Sequence, residues 1–319
     1  MRGFINGERR GFRPNIDRTR LRQRLLLAQL IAAPIGLVVL AWLLVDELPL
    51  ARISENVVGV SAGVLVGLAG LQIFGARLHL VARLFGLEIA RRAVWRVHIV
   101  SLFYYFFLPA GVGYDLVRVA KLGASTTRGA TGWKLAGIGA VERVAGGAGL
   151  VVLLLLALPF TKVAEDARLP ILSLPVKYWG LGVALAVLVA GVVYLLAHQR
   201  YPRLRLIYPA AGLSAGAYAV VAAGIWIAAE ALGIRISSTE ILVALSGTLL
   251  FQLIPVNLLG VSFGEVAAVA IYAAYGLDRP EAVFLTTIAY LQRLAAALIG
   301  GGIEAWFSAR SLWHMRENG

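Results

Sequence analysis

Residues 25–45 form an apolar run long enough for an α-helix to cross a bilayer, which takes about 20 residues, and comparable runs recur along the chain. In hydrocarbon such runs must satisfy their backbone polar groups internally, which the helix does, so the expected fold class is an all-α polytopic membrane protein. Composition agrees: 60% of the residues are hydrophobic, 15% are charged and the mean hydropathy is +0.80. A soluble globular domain is about a quarter charged. The absence of cysteine excludes disulfides, thiol catalysis and Cys-ligated metals or clusters.

A formal charge of +13 raises the question of nucleic acid, but the 30 Lys and Arg flank the apolar runs. Arg2, Arg9, Arg10, Arg13, Arg18, Arg20, Arg22 and Arg24 precede the first run, with Glu8 and Asp17 among them. Residues 1–24 read as a basic cytoplasmic tail before an uncleaved first helix, with anionic headgroups as an alternative role and no nucleic-acid partner expected.

Two spans are expected at 25–45 and from 57 to about 76, followed by a basic stretch with Arg77, Arg83, Arg91, Arg92 and Arg96. Gly59, Gly63 and Gly67 stand one turn apart in the second span, spacing that suits close helix packing. Residues 97–108 are apolar but too short to cross, and a breaker cluster with Pro109, Gly111 and Gly113 follows, then Asp115 and Arg118. This reads as a re-entrant hairpin over about 97–122, its tip at those Pro and Gly residues. Residues 135–160 span again and close a first membrane repeat, 25–160.

The second repeat, 161–307, is expected to follow the same plan: spans at 175–197 and 206–232, a hairpin over about 238–276 and a span at 282–307. Its tip carries Pro255, Asn257, Gly260 and Gly264. Residues 308–319 are expected to form a cytoplasmic tail. Asp115 and Glu265 fall about 150 residues apart, as do Arg143 and Arg293. Three crossings per half would invert the second half relative to the first. The expectation is thus about six transmembrane helices and two re-entrant hairpins in an inverted repeat of roughly 150 residues, a plan shared with many secondary transporters.

A hairpin tip that leads into a helix start presents backbone N–H groups without intrahelical partners, and these attract anions. Asp115 and Glu265 lie in those first turns and read either as caps or as partners of Arg143 and Arg293. An arginine inside a span costs at least about 2.5 kcal/mol, so it faces a partner or a wet cavity. Glu142, Asp115, Glu265 and Glu304 are the candidate partners. The substrate-binding candidates are therefore Arg143, Arg293, Asp115, Glu265, Glu142 and Arg118; a static ion pair and a ligand site both remain open for the arginines. Guanidinium binds phosphate in bidentate fashion, which suits a lipid headgroup. His79, His98, His198 and His314 show no metal-ligand spacing, and no Walker loop, nucleophile elbow or dinucleotide fingerprint occurs in context, so neither metal, cofactor nor catalysis is expected.

Taken in order, residues 109–118, Glu142-Arg143, residues 255–265 and Arg293 resemble the flippase-like membrane region of the lysylphosphatidylglycerol synthase family, over nearly the whole chain. The resemblance implies a bacterial or archaeal cytoplasmic (inner) membrane, both termini cytoplasmic, and translocation of a phosphate-bearing, anionic or modified phospholipid. Few residues follow Phe307, so the family's soluble aminoacyltransferase is not expected. Two rival readings are a secondary transporter of a small soluble anion and a non-transporting partner of a lipid-modifying enzyme.

Overall fold

The computed structural model describes residues 50–107, 112–126, 131–161, 205–251, 257–258 and 261–317. The expected spans at 25–45 and 175–197, the tail at 1–24, and Pro109, Gly111, Pro255 and Gly260 lie outside the described residues. Within them the chain is helical apart from one short antiparallel pair. The helices are α1 (Leu50–Glu55), α2 (Val57–Leu84), α3 (Arg91–Phe107), α4 (Val112–Ala124), α5 (Gly132–Ala157), α6 (Ile207–Ala231), α7 (Ser238–Phe251), α8 (Phe263–Ala274) and α9 (Arg279–Glu317). Four helical stretches are long and apolar enough to cross a membrane: Val57–Leu84, Gly132–Phe160, Ile207–Ala231 and Arg279–Arg310.

Local sequence sets the helix ends. Gly86, Gly233 and Gly276 follow α2, α6 and α8 with φ of 74°, 68° and 85°, left-handed conformations that glycine adopts without a Cβ penalty. After each, the chain turns back with an amide bonded to a carbonyl of the last turn, and Leu87, Ile234 and Leu277 bury there as apolar plugs. The connections into α3 and α7 are alike: Leu87 and Ile89 are buried in one, Ile234 and Ile236 in the other. A reciprocal capping box starts α7, where Glu240 N donates to Ser237 Oγ at 3.2 Å and Ser237 N donates to Glu240 Oε2 at 2.9 Å. At α9, Glu281 N donates to Asp278 Oδ1 at 2.9 Å.

Three helices differ in extent from expectation. The second span continues eight residues past 76 to Leu84, because Leu78, Val81 and Ala82 bury at helical spacing beyond Arg77. Helix α3 begins at Arg91 and has 17 residues, its first turns drawn from the basic stretch. Helix α9 has 39 residues and carries the expected tail on as helix to Glu317; no glycine or proline interrupts it after Gly302.

Helices α2 and α6 lie antiparallel at the centre. A Cβ at Gly63 would collide with the Gly224 carbonyl and with Ala228, at Gly59 with Ala231, and at Gly70 with Val221. Only a missing side chain lets the backbones approach this closely. Around the pair the contacts run in matched sets: α3 on α9 and α7 on α5, α5 on α6 and α9 on α2, α3 on α4 and α7 on α8. The end of α2 and the start of α5 share one end of the bundle, where Phe85 and Trp133 meet at 6.3 Å between ring centroids. Helices α3 and α4, which lie between those two points in the chain, pack on each other. The end of α6 lies beside Gly59, at the opposite end, and α9 runs from there back to the first end, where Arg96 of α3 stacks on Phe307. Helices α7 and α8 likewise pack on each other. Arg83, Arg91, Arg92, Arg96, Lys121, Lys134 and Arg310 collect at the first end, which we call the basic end.

Candidate functional site

Helices α4 and α8, with 13 and 12 residues, are each too short to cross hydrocarbon. Gly113 lies in the first turn of α4 and Gly264 in that of α8, where it is buried. Before α8 the chain holds a two-residue antiparallel pair, Asn257 opposite Ser262 and Leu258 opposite Val261. Asp115 and Glu265 occupy the first turns of their helices.

Each carboxylate meets the arginine of the next long helix, 28 residues on. Arg143 donates to Asp115 Oδ2 from Nε at 3.2 Å and from Nη2 at 2.5 Å. Arg293 Nη2 donates to Glu265 Oε1. The two pairs differ in exposure: the Arg143 and Asp115 side chains are 53% and 27% exposed, those of Arg293 and Glu265 only 16% and 9%. Tyr105 of α3 and Tyr290 of α9 lie beside the buried pair, and Arg293 Nη1 has no hydrogen-bond partner there.

Glu142 and Arg143 are neighbours in sequence but point about 100° apart around α5, as a 3.6-residue turn requires. Glu142 faces inward, 3% exposed, and binds two other arginines. Arg77 donates to it from Nε at 2.9 Å and from Nη2 at 3.3 Å, and Arg118 donates from Nη1. Arg77 Nη1 also donates to Ser214 Oγ of α6 at 3.1 Å. Arg118 Nη2 lies 3.2 Å from His98 Nδ1, and the guanidinium sits over the Tyr114 ring at 4.0 Å. His98 Nε2 lies 3.0 Å from the Leu71 carbonyl. With hydrogen on Nε2 the ring donates there and accepts from Arg118, the one tautomer that satisfies both contacts. The cluster thus joins α2 to α6 in one network, yet Arg118 Nε is left without a partner.

Arg118 is therefore a buried member of this cluster, and Glu142 does not pair with Arg143. Glu304, a candidate partner for the arginines within the spans, bonds Lys121 Nζ at 2.6 Å and accepts from Tyr104 Oη at 3.3 Å. Sequence reasoning missed Arg77, His98, Ser214 and Lys121. Arg77 was legible from the buried positions that flank it at helical spacing; the others are fixed only by which helices meet. At Gln292, about 150 residues after Glu142, the side chain is fully buried and donates to the Gly63 carbonyl at 3.3 Å. The tips are linked through Tyr105, whose ring meets that of Tyr114 edge-on at 6.0 Å. Among the described residues no group of three or more His, Asp or Glu is placed to hold a metal ion. No protein-family model, curated protein or solved structure matches the chain.

Proposed function

We propose that this protein moves a phosphate-bearing, anionic or modified phospholipid between the leaflets of a cytoplasmic (inner) membrane, by way of two inverted membrane repeats whose re-entrant hairpins meet near its middle. The single observation that carries this reading is the pair of matched ion pairs, Asp115 with Arg143 and Glu265 with Arg293. Each joins the first turn of a short helix to the long helix that follows. The interchange of packing partners around α2 and α6 supports the inverted repeat, and the packing of α3 on α4 and of α7 on α8 supports the hairpins. With the basic end in the cytoplasm, as lysine and arginine bias requires, the carboxyl terminus is cytoplasmic.

Arg143 lies about 16 Å along α5, well inside a hydrocarbon core of about 30 Å. An exposed charge at that depth needs water or a polar ligand. A phosphodiester oxygen takes the place of Asp115 Oδ2 on the Arg143 guanidinium, and the displaced carboxylate, 27% exposed, is left to water. The acyl chains stay in lipid while the headgroup crosses. A bare ion in hydrocarbon faces an idealised penalty on the order of 20 kcal/mol, which guanidinium and backbone N–H donors offset.

The test is a flux assay in phosphatidylglycerol-containing vesicles, with an NBD-labelled phospholipid and dithionite added outside. Wild-type protein is expected to expose inner-leaflet label far faster than empty vesicles, and Arg143→Ala to return the rate to that of empty vesicles. Equal rates with and without wild-type protein would reject the proposal. Uptake of labelled inorganic phosphate by the same vesicles would transfer the ion-pair chemistry to a soluble anion.

A further inference from the structure

At the basic end, α3, the last turn of α4 and the far part of α9 line a half-open cavity of about 320 Å³, bordered in part by Arg96, Lys121, Ser125, Glu304 and Phe307. It is separate from both ion pairs described above, and its volume is at the low end of small-molecule sites, about 300–1,000 Å³. Lys121 and Glu304 close on each other at 2.6 Å, with side chains 29% and 24% exposed. The Arg96 guanidinium lies over the Phe307 ring, 4.5 Å from its centroid, and among the described residues no carboxylate pairs with it. A guanidinium stacked by its face keeps its in-plane N–H donors for a ligand.

Two cations and one carboxylate leave the cavity short of an anion. A plain anion, however, would draw Lys121 away and strand Glu304 in a half-buried place, and a plain cation on Glu304 would strand Lys121. We infer that the cavity binds a zwitterionic headgroup, with its phosphate between Arg96 and Lys121 and its ammonium on Glu304. Such a ligand replaces the Lys121–Glu304 pair on both sides at once, so no charge is desolvated without a partner. The ammonium must stand within a few atoms of the phosphate, as in a phosphoethanolamine group. A lipid headgroup and a free phosphorylated amino alcohol both supply that chemistry. Binding here does not depend on transport.

Native mass spectrometry of the full chain, purified with an equimolar mixture of phosphatidylethanolamine and phosphatidylglycerol, tests the inference. Wild-type protein is expected to retain phosphatidylethanolamine at least roughly tenfold over phosphatidylglycerol, the usual worth of one charge-assisted hydrogen bond. Arg96→Gln is expected to lose retention of both lipids, and Arg96→Lys, which keeps the charge, to recover it; this pair separates lost recognition from lost fold. Glu304→Gln is expected to erase the preference while phosphatidylglycerol stays bound. Displacement by free phosphoethanolamine would show that the headgroup suffices, and retention against it would assign the site to the lipid; both support the inference. Arg143→Ala is expected to keep the preference even where flux is lost, so this inference and the translocation proposal fail separately. Equal retention of the two lipids by wild type, or an unchanged preference in Glu304→Gln, would overturn it.

Discussion

Arg77 of α2 holds Glu142 of α5 through two hydrogen bonds, Nε to Oε1 at 2.9 Å and Nη2 to Oε2 at 3.3 Å, inside a cluster that α4 and α6 also enter. The same carboxylate takes Arg118, so two guanidiniums depend on one anion in the interior of the bundle. With His98 of α3, five helices are thereby tied together, among them α4, the short helix that carries Asp115.

Removing that anion is expected to be costly. Glu142→Gln leaves Arg77 and Arg118 buried, close together and without a countercharge, and breaking one side of a buried pair costs about 3–5 kcal/mol. Thermal unfolding in detergent should show a clear fall in Tm. An unchanged Tm would mean that the two arginines find other partners.

The matched ion pairs are expected to respond unequally. Arg143→Ala removes an exposed partner and should change stability by less than about 1 kcal/mol while it stops lipid flux. Arg293→Ala strands Glu265, 9% exposed, and should destabilise by about 3–5 kcal/mol. Measuring Tm and flux for both variants checks this, and equal losses of stability would contradict it.

Helix α2 should tolerate no added methyl where it crosses α6. Gly63→Ala would drive a Cβ into the Gly224 backbone, and Gly67→Ala into the Gln292 carboxamide; each should cost about 1–3 kcal/mol. Gly147 of α5 has open space beside it, so Gly147→Ala should be neutral or stabilise by up to about 1 kcal/mol through helix propensity. The order of the three melting temperatures is the readout.

The natural chain has no cysteine, so single cysteines report sidedness without background. Glu88→Cys and Thr131→Cys flank α3 and α4, and Arg235→Cys lies at the far end of α6. An impermeant maleimide applied to sealed vesicles should label the first two from one side and the third from the other. Labelling of Glu88→Cys and Thr131→Cys from opposite sides would make α3–α4 a crossing.

Much of this architecture is legible in the sequence. Hydropathy located the four long helices because twenty apolar residues have few alternatives to a buried or lipid-facing helix. Glycine spacing marked the close face of α2, and the recurrence at about 150 residues marked Asp115, Arg143, Glu265 and Arg293, with the choice of partners left open. Arg77 was misplaced because a charge in a hydropathy window looks like the end of a span, and such a window cannot see a carboxylate waiting on another helix. Glu142 and Glu304, candidates among four acids for Arg143 and Arg293, meet other cations for the same reason.

Sequence by itself determined which segments form the long helices and which charges must find partners, since those follow from hydropathy and the cost of ions in hydrocarbon. Only the tertiary structure decided that Glu142 answers Arg77 and Arg118, that Lys121 and Glu304 meet beside Arg96, and that one matched ion pair is exposed while the other is buried. Those outcomes depend on how helices distant in sequence rotate against one another, and a turn of about 100° per residue sends neighbouring side chains to different partners.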